Sequence, residues 1–104
     1  MKEIMDLVDR IDEEINDAEY YAKLAVECRE KKPTKAETFF KIANEEIGHA
    51  NMLHGLVVST IEDYRKSDGD PPDIMLKLYD IEHKKYISHM ATVKGLLGLY
   101  KEMK

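Results

Sequence analysis

The sequence has little of several residue types that mark other classes of protein. It contains one cysteine, Cys28, no tryptophan, three prolines and five glycines in 104 residues. A lone cysteine cannot form an intrachain disulfide, which fits a reducing compartment, so we expect a cytoplasmic protein. The scarcity of proline and glycine leaves few turns and favours an all-helical fold.

Long apolar runs and basic clusters are also lacking. No stretch reaches the roughly 20 apolar residues that cross a bilayer, and we expect no signal peptide ahead of the first helix. The formal net charge is −5, and the lysines and arginines are scattered along the chain. Because phosphate groups are neutralised by clustered basic side chains, we expect neither nucleic acid nor a membrane as a partner.

Two breaks divide the chain into three predicted helices. The first is at Pro33, after which Thr34 and Glu37 form a capping-box pattern. The second is a turn in which Asp70 is the expected N-cap and Pro71 the first helical residue. The predicted helices span about residues 2–31, 34–66 and 71–103. They form one all-α domain over residues 1–104, a bundle of three long helices with antiparallel neighbours.

Each predicted helix carries a stripe of mostly apolar residues at helical spacing, which predicts the buried seam of a bundle. The polar members of such a seam are informative, because burying a carboxylate is costly unless something neutralises it. The predicted seam residues are Ile4, Val8, Ile11, Ile15, Ala18, Ala22 and Ala25 in helix 1; Ala36, Phe40, Ala43, Ile47, Ala50, His54, Val57, Ile61 and Tyr64 in helix 2; and Met75, Leu78, Glu82, Tyr86, His89, Val93, Leu96, Tyr100 and Met103 in helix 3.

Each helix offers one glutamate that falls inside its apolar sector at about 100° per residue. These are Glu14, Glu46 and Glu82, and His49 follows Glu46 at i+3 on the edge of the sector. Ion pairing explains a single inward glutamate, and Lys85 is a ready partner for Glu82. The residues expected to point outward are Glu13, Asp80 and His83.

Three inward glutamates and a Glu-x-x-His match the donors of carboxylate-bound metal pairs. In helical bundles of that kind, two helices each supply a glutamate and the other two each supply a Glu-x-x-His. Carboxylates neutralise hard cations, and imidazole completes the coordination while leaving open positions. The residues therefore predict a site for hard divalent cations.

Glu14, with Tyr21 seven residues later, and the run Glu46-Ile-Gly-His49 resemble the first two helices of the ferritin-like superfamily, which includes ferritins, bacterioferritins and rubrerythrins. The resemblance covers roughly residues 8–60. It implies a di-iron or manganese protein with ferroxidase or oxygen- and peroxide-handling activity, an oxidoreductase if the site is occupied. It also implies that Glu14 and Glu46 are carboxylate ligands, that His49 is the nitrogen ligand, and that Tyr21 is a catalytic phenol beside the metals.

The chain departs from that family in having room for three helices and one inward Glu-x-x-His, so two completions of the site stay open. In the first, two chains each supply Glu14, Glu46 and His49 across a two-fold axis, an arrangement that resembles the short encapsulated ferritins. In the second, Glu82 joins those residues within one chain, with His89 or water. We favour the homodimer, because it also covers the apolar faces of a thin three-helix unit.

A metal-free reading stays open as well. Lys85 can replace metal charge beside Glu82, which would leave a helical structural or adaptor module without a cofactor. His54 lies two turns beyond Glu46, too far to share its metal, and is predicted to be a hydrogen-bonded core histidine.

Overall fold

The computed structural model describes residues 2–103, which form three α-helices and contain no strand. Helix α1 spans Lys2–Cys28, α2 spans Pro33–Asp68 and α3 spans Asp73–Glu102. The predicted all-α class is therefore confirmed, and the molecule measures 55 × 18 × 17 Å. Over these described residues, no helix combines the length and the apolarity that crossing a membrane requires.

The first connection differs from the prediction at its caps. Helix α1 ends at Cys28, whose carbonyl accepts a hydrogen bond from the Lys32 N–H at 2.8 Å. Helix α2 begins at Pro33 with Lys32 as its N-cap, and no side chain caps it, so the predicted Thr34 cap is wrong. Proline is favoured at the first helical position because it has no N–H to leave unsatisfied, which moves the start one residue ahead of Thr34.

The second connection ends later than predicted. Helix α3 begins at Asp73, with Pro72 as its N-cap in an extended conformation (φ −54°, ψ 142°). A proline disfavours the helical conformation in the residue before it, so Pro72 prevents Pro71 from starting the helix. The predicted cap at Asp70 and start at Pro71 are therefore wrong by two residues.

The hydrophobic core lies along α1, which packs against both other helices. All seven predicted seam residues of α1 are buried, and so are six of the nine predicted for α2. Ala18 and Ala22 of α1 and Ala43 and Ala50 of α2 have no exposed surface. Because alanine side chains are short, the two helices approach closely along this line. Among the described residues, the contact between α1 and α2 is the most extensive of the three helix pairs.

The predicted seam of α3 is only partly correct. Its buried residues are Met90, Val93, Leu97 and Tyr100, whereas the predicted Leu78 is 40% exposed. His83, predicted to point outward, is half-buried and stacks on His54 of α2 with ring centroids 5.0 Å apart. Flat rings with polar edges can line a seam as well as aliphatic residues do, and a purely apolar stripe misses them.

The contacts between α1 and α2 run in opposite order along the two helices. Glu14 lies beside His49, and Tyr21, seven residues later in α1, stacks on Phe39, ten residues earlier in α2. This order sets the carboxylate of α1 opposite the Glu-x-x-His segment of α2.

Candidate metal centre

Three of the four predicted metal ligands come together in the α1–α2 groove. Nδ1 of His49 lies 3.6 Å from Oε2 of Glu14 and 3.9 Å from Oε1 of Glu46. One ligand atom from each residue falls within 4.8 Å of the others. Metal ligands with bonds of about 2.1 Å stand about 3.0 Å apart in cis positions of an octahedron and about 4.2 Å apart in trans positions. The separations suit one cation bound between the three residues.

Helix phase selects which glutamates enter this group. Glu14 precedes the buried Ile15, and its side chain is 13% exposed. The adjacent Glu13 is 63% exposed and pairs with Arg10 at 2.7 Å on the outer surface. A step of about 100° between neighbouring residues thus gives two consecutive glutamates different environments. The predicted division between an inward Glu14 and an outward Glu13 is present in the structure.

Glu14 opposes the ionisation of Glu46. A hydrogen bond between Glu14 and Glu46 raises the pKa of Glu46 to about 7, and burial and the negative charge of Glu14 act in the same direction. His49 opposes the shift through its positive charge, and Asp17 adds to it. Like charges in contact favour a retained proton, and a bound cation would replace that proton. The guanidinium of Arg10, with Nη2 3.9 Å from Oε1 of Glu14, places a permanent positive charge beside the group.

The raised pKa of Glu46 makes the stability of the metal-free protein depend on pH. A carboxyl whose folded pKa lies above its unfolded value stabilises the fold fully below about 4.5, and that contribution is lost as the pH rises through about 7. Glu46→Gln keeps a neutral hydrogen-bonding group, so the variant should gain stability relative to the unmodified protein across this window. Urea unfolding of both proteins between pH 4 and 8 measures the difference.

Glu45→Gln is the matched control for this titration. It removes a glutamate from the neighbouring, exposed position of the same helix. Its free energy of unfolding should follow the unmodified protein at every pH. If the free energy of unfolding varies with pH in the same way for Glu46→Gln and Glu45→Gln, Glu14 does not control the ionisation of Glu46.

Tyr21, the predicted catalytic phenol, lies further along the same groove. Its ring stacks on Phe39 with centroids 6.0 Å apart and an interplanar angle of 27°. Tyr21 follows Glu14 by seven residues, and Phe39 precedes Glu46 by seven. Seven residues span about 10 Å of helix, so the aromatic pair lies two turns from the carboxylates.

Glu82, the fourth predicted ligand, lies outside the group of three. Its Oε1 is 3.5 Å from Nζ of Lys85, the partner that ion pairing predicts. Glu82 also faces Asp12 across the α1–α3 contact and raises the pKa of that carboxyl, after the larger effect of burial. His89, the other intrachain candidate, contacts Glu19 at 3.1 Å instead.

The structure adds a cluster that the sequence interpretation missed. Nε2 of His54 lies 3.2 Å from Nδ1 of His83 and 3.3 Å from the hydroxyl of Tyr79. Tyr79, His83 and Tyr86 follow one another by four and three residues, the spacing of a single helix face. This spacing could have predicted the cluster from the sequence. It would have required histidine and tyrosine to be treated as possible buried residues of α3.

The chain matches no protein-family model, no curated protein and no solved structure.

Proposed function

We propose that this chain is a ferritin-like carboxylate protein that binds a pair of iron or manganese ions and carries out ferroxidase or oxygen- and peroxide-handling chemistry. The observation that supports the proposal is the meeting of Glu14, Glu46 and His49 in one groove. Two carboxylates and one imidazole suit divalent iron and manganese, which prefer oxygen ligands and accept nitrogen. The mutual repulsion of the two carboxylates adds a need for positive charge.

Each residue of the proposed site has a separate role. Glu14 and Glu46 hold the cations and offset their charge, and His49 supplies the nitrogen ligand. Iron, when bound, supplies the electrons that reduce oxygen or peroxide. The His49 side chain is 50% exposed, so a small oxidant can reach the groove from solvent. Tyr21, two turns along the groove, is the proposed redox-active phenol, which would supply an electron to the site and lose its own proton.

We further propose that a second copy of the chain completes an antiparallel ferritin-like bundle and its metal pair. Met52 and Leu56 follow His49 on one face of α2 and are 66% and 54% exposed. Large apolar side chains beside a polar site favour burial against another protein surface. A two-fold related copy on this face would bring the total to four carboxylates and two imidazoles.

Lys85→Ala distinguishes the two-chain site from a site within one chain. Lys85 balances Glu82 in the two-chain arrangement, so its loss should cost about 0.2–1 kcal/mol of stability and leave the metal content unchanged. In the one-chain arrangement the lysine charge opposes binding at Glu82, so its loss should increase the metal affinity. Elemental analysis and metal titration of the variant measure the outcome, and a clear gain in affinity would contradict the two-chain proposal.

A metal-free structural module is the second candidate. It is favoured by the position of His49 between Glu14 and Glu46, because a protonated imidazole can pair with both carboxylates without a metal. Iron and manganese analysis of protein purified without a histidine tag, together with its mass in solution, decides between the candidates. Absence of bound metal after incubation with excess Fe²⁺ or Mn²⁺ would favour the structural module.

A further inference from the structure

A second group of metal-binding side chains lies where α3 meets α1 and α2, away from the carboxylate groove. A small cavity of about 10 Å³, whose exposed inner surface is apolar, lies beside this group. The residues around it include Asp12, His54, Tyr79, Glu82, His83 and Tyr86. All three helices contribute to this lining, so the fold itself assembles the cavity.

We propose that His54 and His83, assisted by Tyr79, form a second cation site that takes a borderline divalent metal such as Zn²⁺. The two imidazoles come from different helices and would tie α3 to α2. This site differs in chemistry from the oxygen-rich group of Glu14, Glu46 and His49, and the proposal does not depend on that group binding metal.

The distance between the two imidazole nitrogens supports the proposal. His54 Nε2 and His83 Nδ1 are 3.2 Å apart. Two Zn–N bonds of about 2.05 Å that span this distance meet at about 100°, close to the tetrahedral angle. The histidines can therefore bind one Zn²⁺ without moving apart.

Hydrogen bonding cannot use both contacts of His54 Nε2 at once. His54 Nε2 has two neighbours, His83 Nδ1 at 3.2 Å and the Tyr79 hydroxyl at 3.3 Å. A neutral ring nitrogen offers either one lone pair or one N–H, so it cannot form two full hydrogen bonds at once. A cation would instead accept one lone pair from each of the three atoms.

The charges around the cavity also favour a cation. The carboxylates of Asp12 and Glu82 belong to residues that line it. Lys85 lies 3.5 Å from Glu82 and offsets part of one of these two charges.

Tyr79 is the weaker donor of the three. Burial raises the pKa of its hydroxyl, which keeps the phenol neutral. A neutral phenol binds zinc less well than an imidazole, so the two histidines should supply most of the affinity and water should fill the remaining position.

The decisive experiment separates this site from the carboxylate groove. Glu46→Gln with His49→Gln removes two of the three groove ligands and leaves the histidine pair intact. Calorimetric titration of this untagged double variant with Zn²⁺ should show one ion bound per chain. Adding His83→Gln should lower the association constant by at least about 100-fold, as should His54→Gln, because even residues that only support metal ligands change affinity by about 10- to 100-fold. Co²⁺ should give the visible absorption of a four-coordinate ion only where both histidines remain.

His89→Gln in the same background is the matched control. It removes an imidazole from α3 that contacts Glu19 rather than His54, and Zn²⁺ affinity should stay unchanged. Circular dichroism checks that each variant folds. If His83→Gln does not fold, imidazole NMR signals of the double variant provide the test, and those of His54 and His83 should both shift and saturate at one equivalent of Zn²⁺. Failure of the double variant to bind Zn²⁺, or binding that survives loss of either histidine, would overturn the proposal.

Discussion

Replacing Glu46 or His49 with alanine should abolish tight binding of Fe²⁺ and Mn²⁺. The two side chains approach each other and Glu14 closely enough to share one cation, so losing either leaves an incomplete donor set. Even residues that only support metal ligands change affinity by about 10- to 100-fold, so losing a ligand should cost at least about 100-fold. Anaerobic Fe²⁺ titration and metal analysis of the purified variants measure the loss.

Two variants control for charge and for histidine content. Glu45→Ala removes one negative charge from the exposed neighbour of Glu46, and His54→Ala removes a histidine eight residues from Glu46 on α2. Both should retain the Fe²⁺ stoichiometry, although His54→Ala should also weaken Zn²⁺ binding at the second site. Unchanged Fe²⁺ stoichiometry in Glu46→Ala and His49→Ala would remove the metal proposal for this groove.

Metal loading should also control how many chains associate. If two copies share the site, the metal binds the dimer and not the separated chains. A ligand present at 100 times its dissociation constant then favours the bound state by about 2.7 kcal/mol, which is about 100-fold in an equilibrium constant. Chelation, or the double change Glu14→Ala with Glu46→Ala, should therefore shift the population from dimer toward monomer. Sedimentation at several protein concentrations, with and without metal, measures the shift.

Glu13→Ala with Glu45→Ala is the matched control for the dimer. It removes the same number of glutamates from adjacent but outward positions of the same two helices. This control should dimerise with metal as the unmodified chain does. A chain that stays monomeric while holding two metals would contradict the shared site.

The sequence predicted the first two helices better than the third. Helix α1 buries an uninterrupted apolar stripe, so periodicity alone identified its inner face. In α3 the inner face includes Tyr79 and His83, and periodicity based on apolar residues pointed His83 outward. The contact that buries His83 is made with His54, 29 residues earlier in the chain. A pattern confined to one helix carries no information about such a partner.

The candidate site was predictable to a similar extent. Glu14, Glu46 and His49 could be grouped from helix phase, because each lies in or beside a regular stripe. The position of Glu82 could not be decided in the same way, since it depends on the rotation of α3 against α1. In the structure Glu82 faces Asp12 and Lys85. Ring contacts between α2 and α3, such as that of His54 with His83, accompany this rotation.

The distribution of buried residues along α3 has a consequence for how the molecule opens. Its four buried side chains, Met90, Val93, Leu97 and Tyr100, all lie in the second half of the helix, and no residue between 73 and 89 is fully buried. Segments with few buried contacts exchange their amide hydrogens through low-energy local unfolding. The first half of α3 should therefore detach and reclose as a unit while the remainder stays folded. Because that half carries His83, each detachment would open the small cavity to solvent, and an ion held by His54 and His83 would slow it.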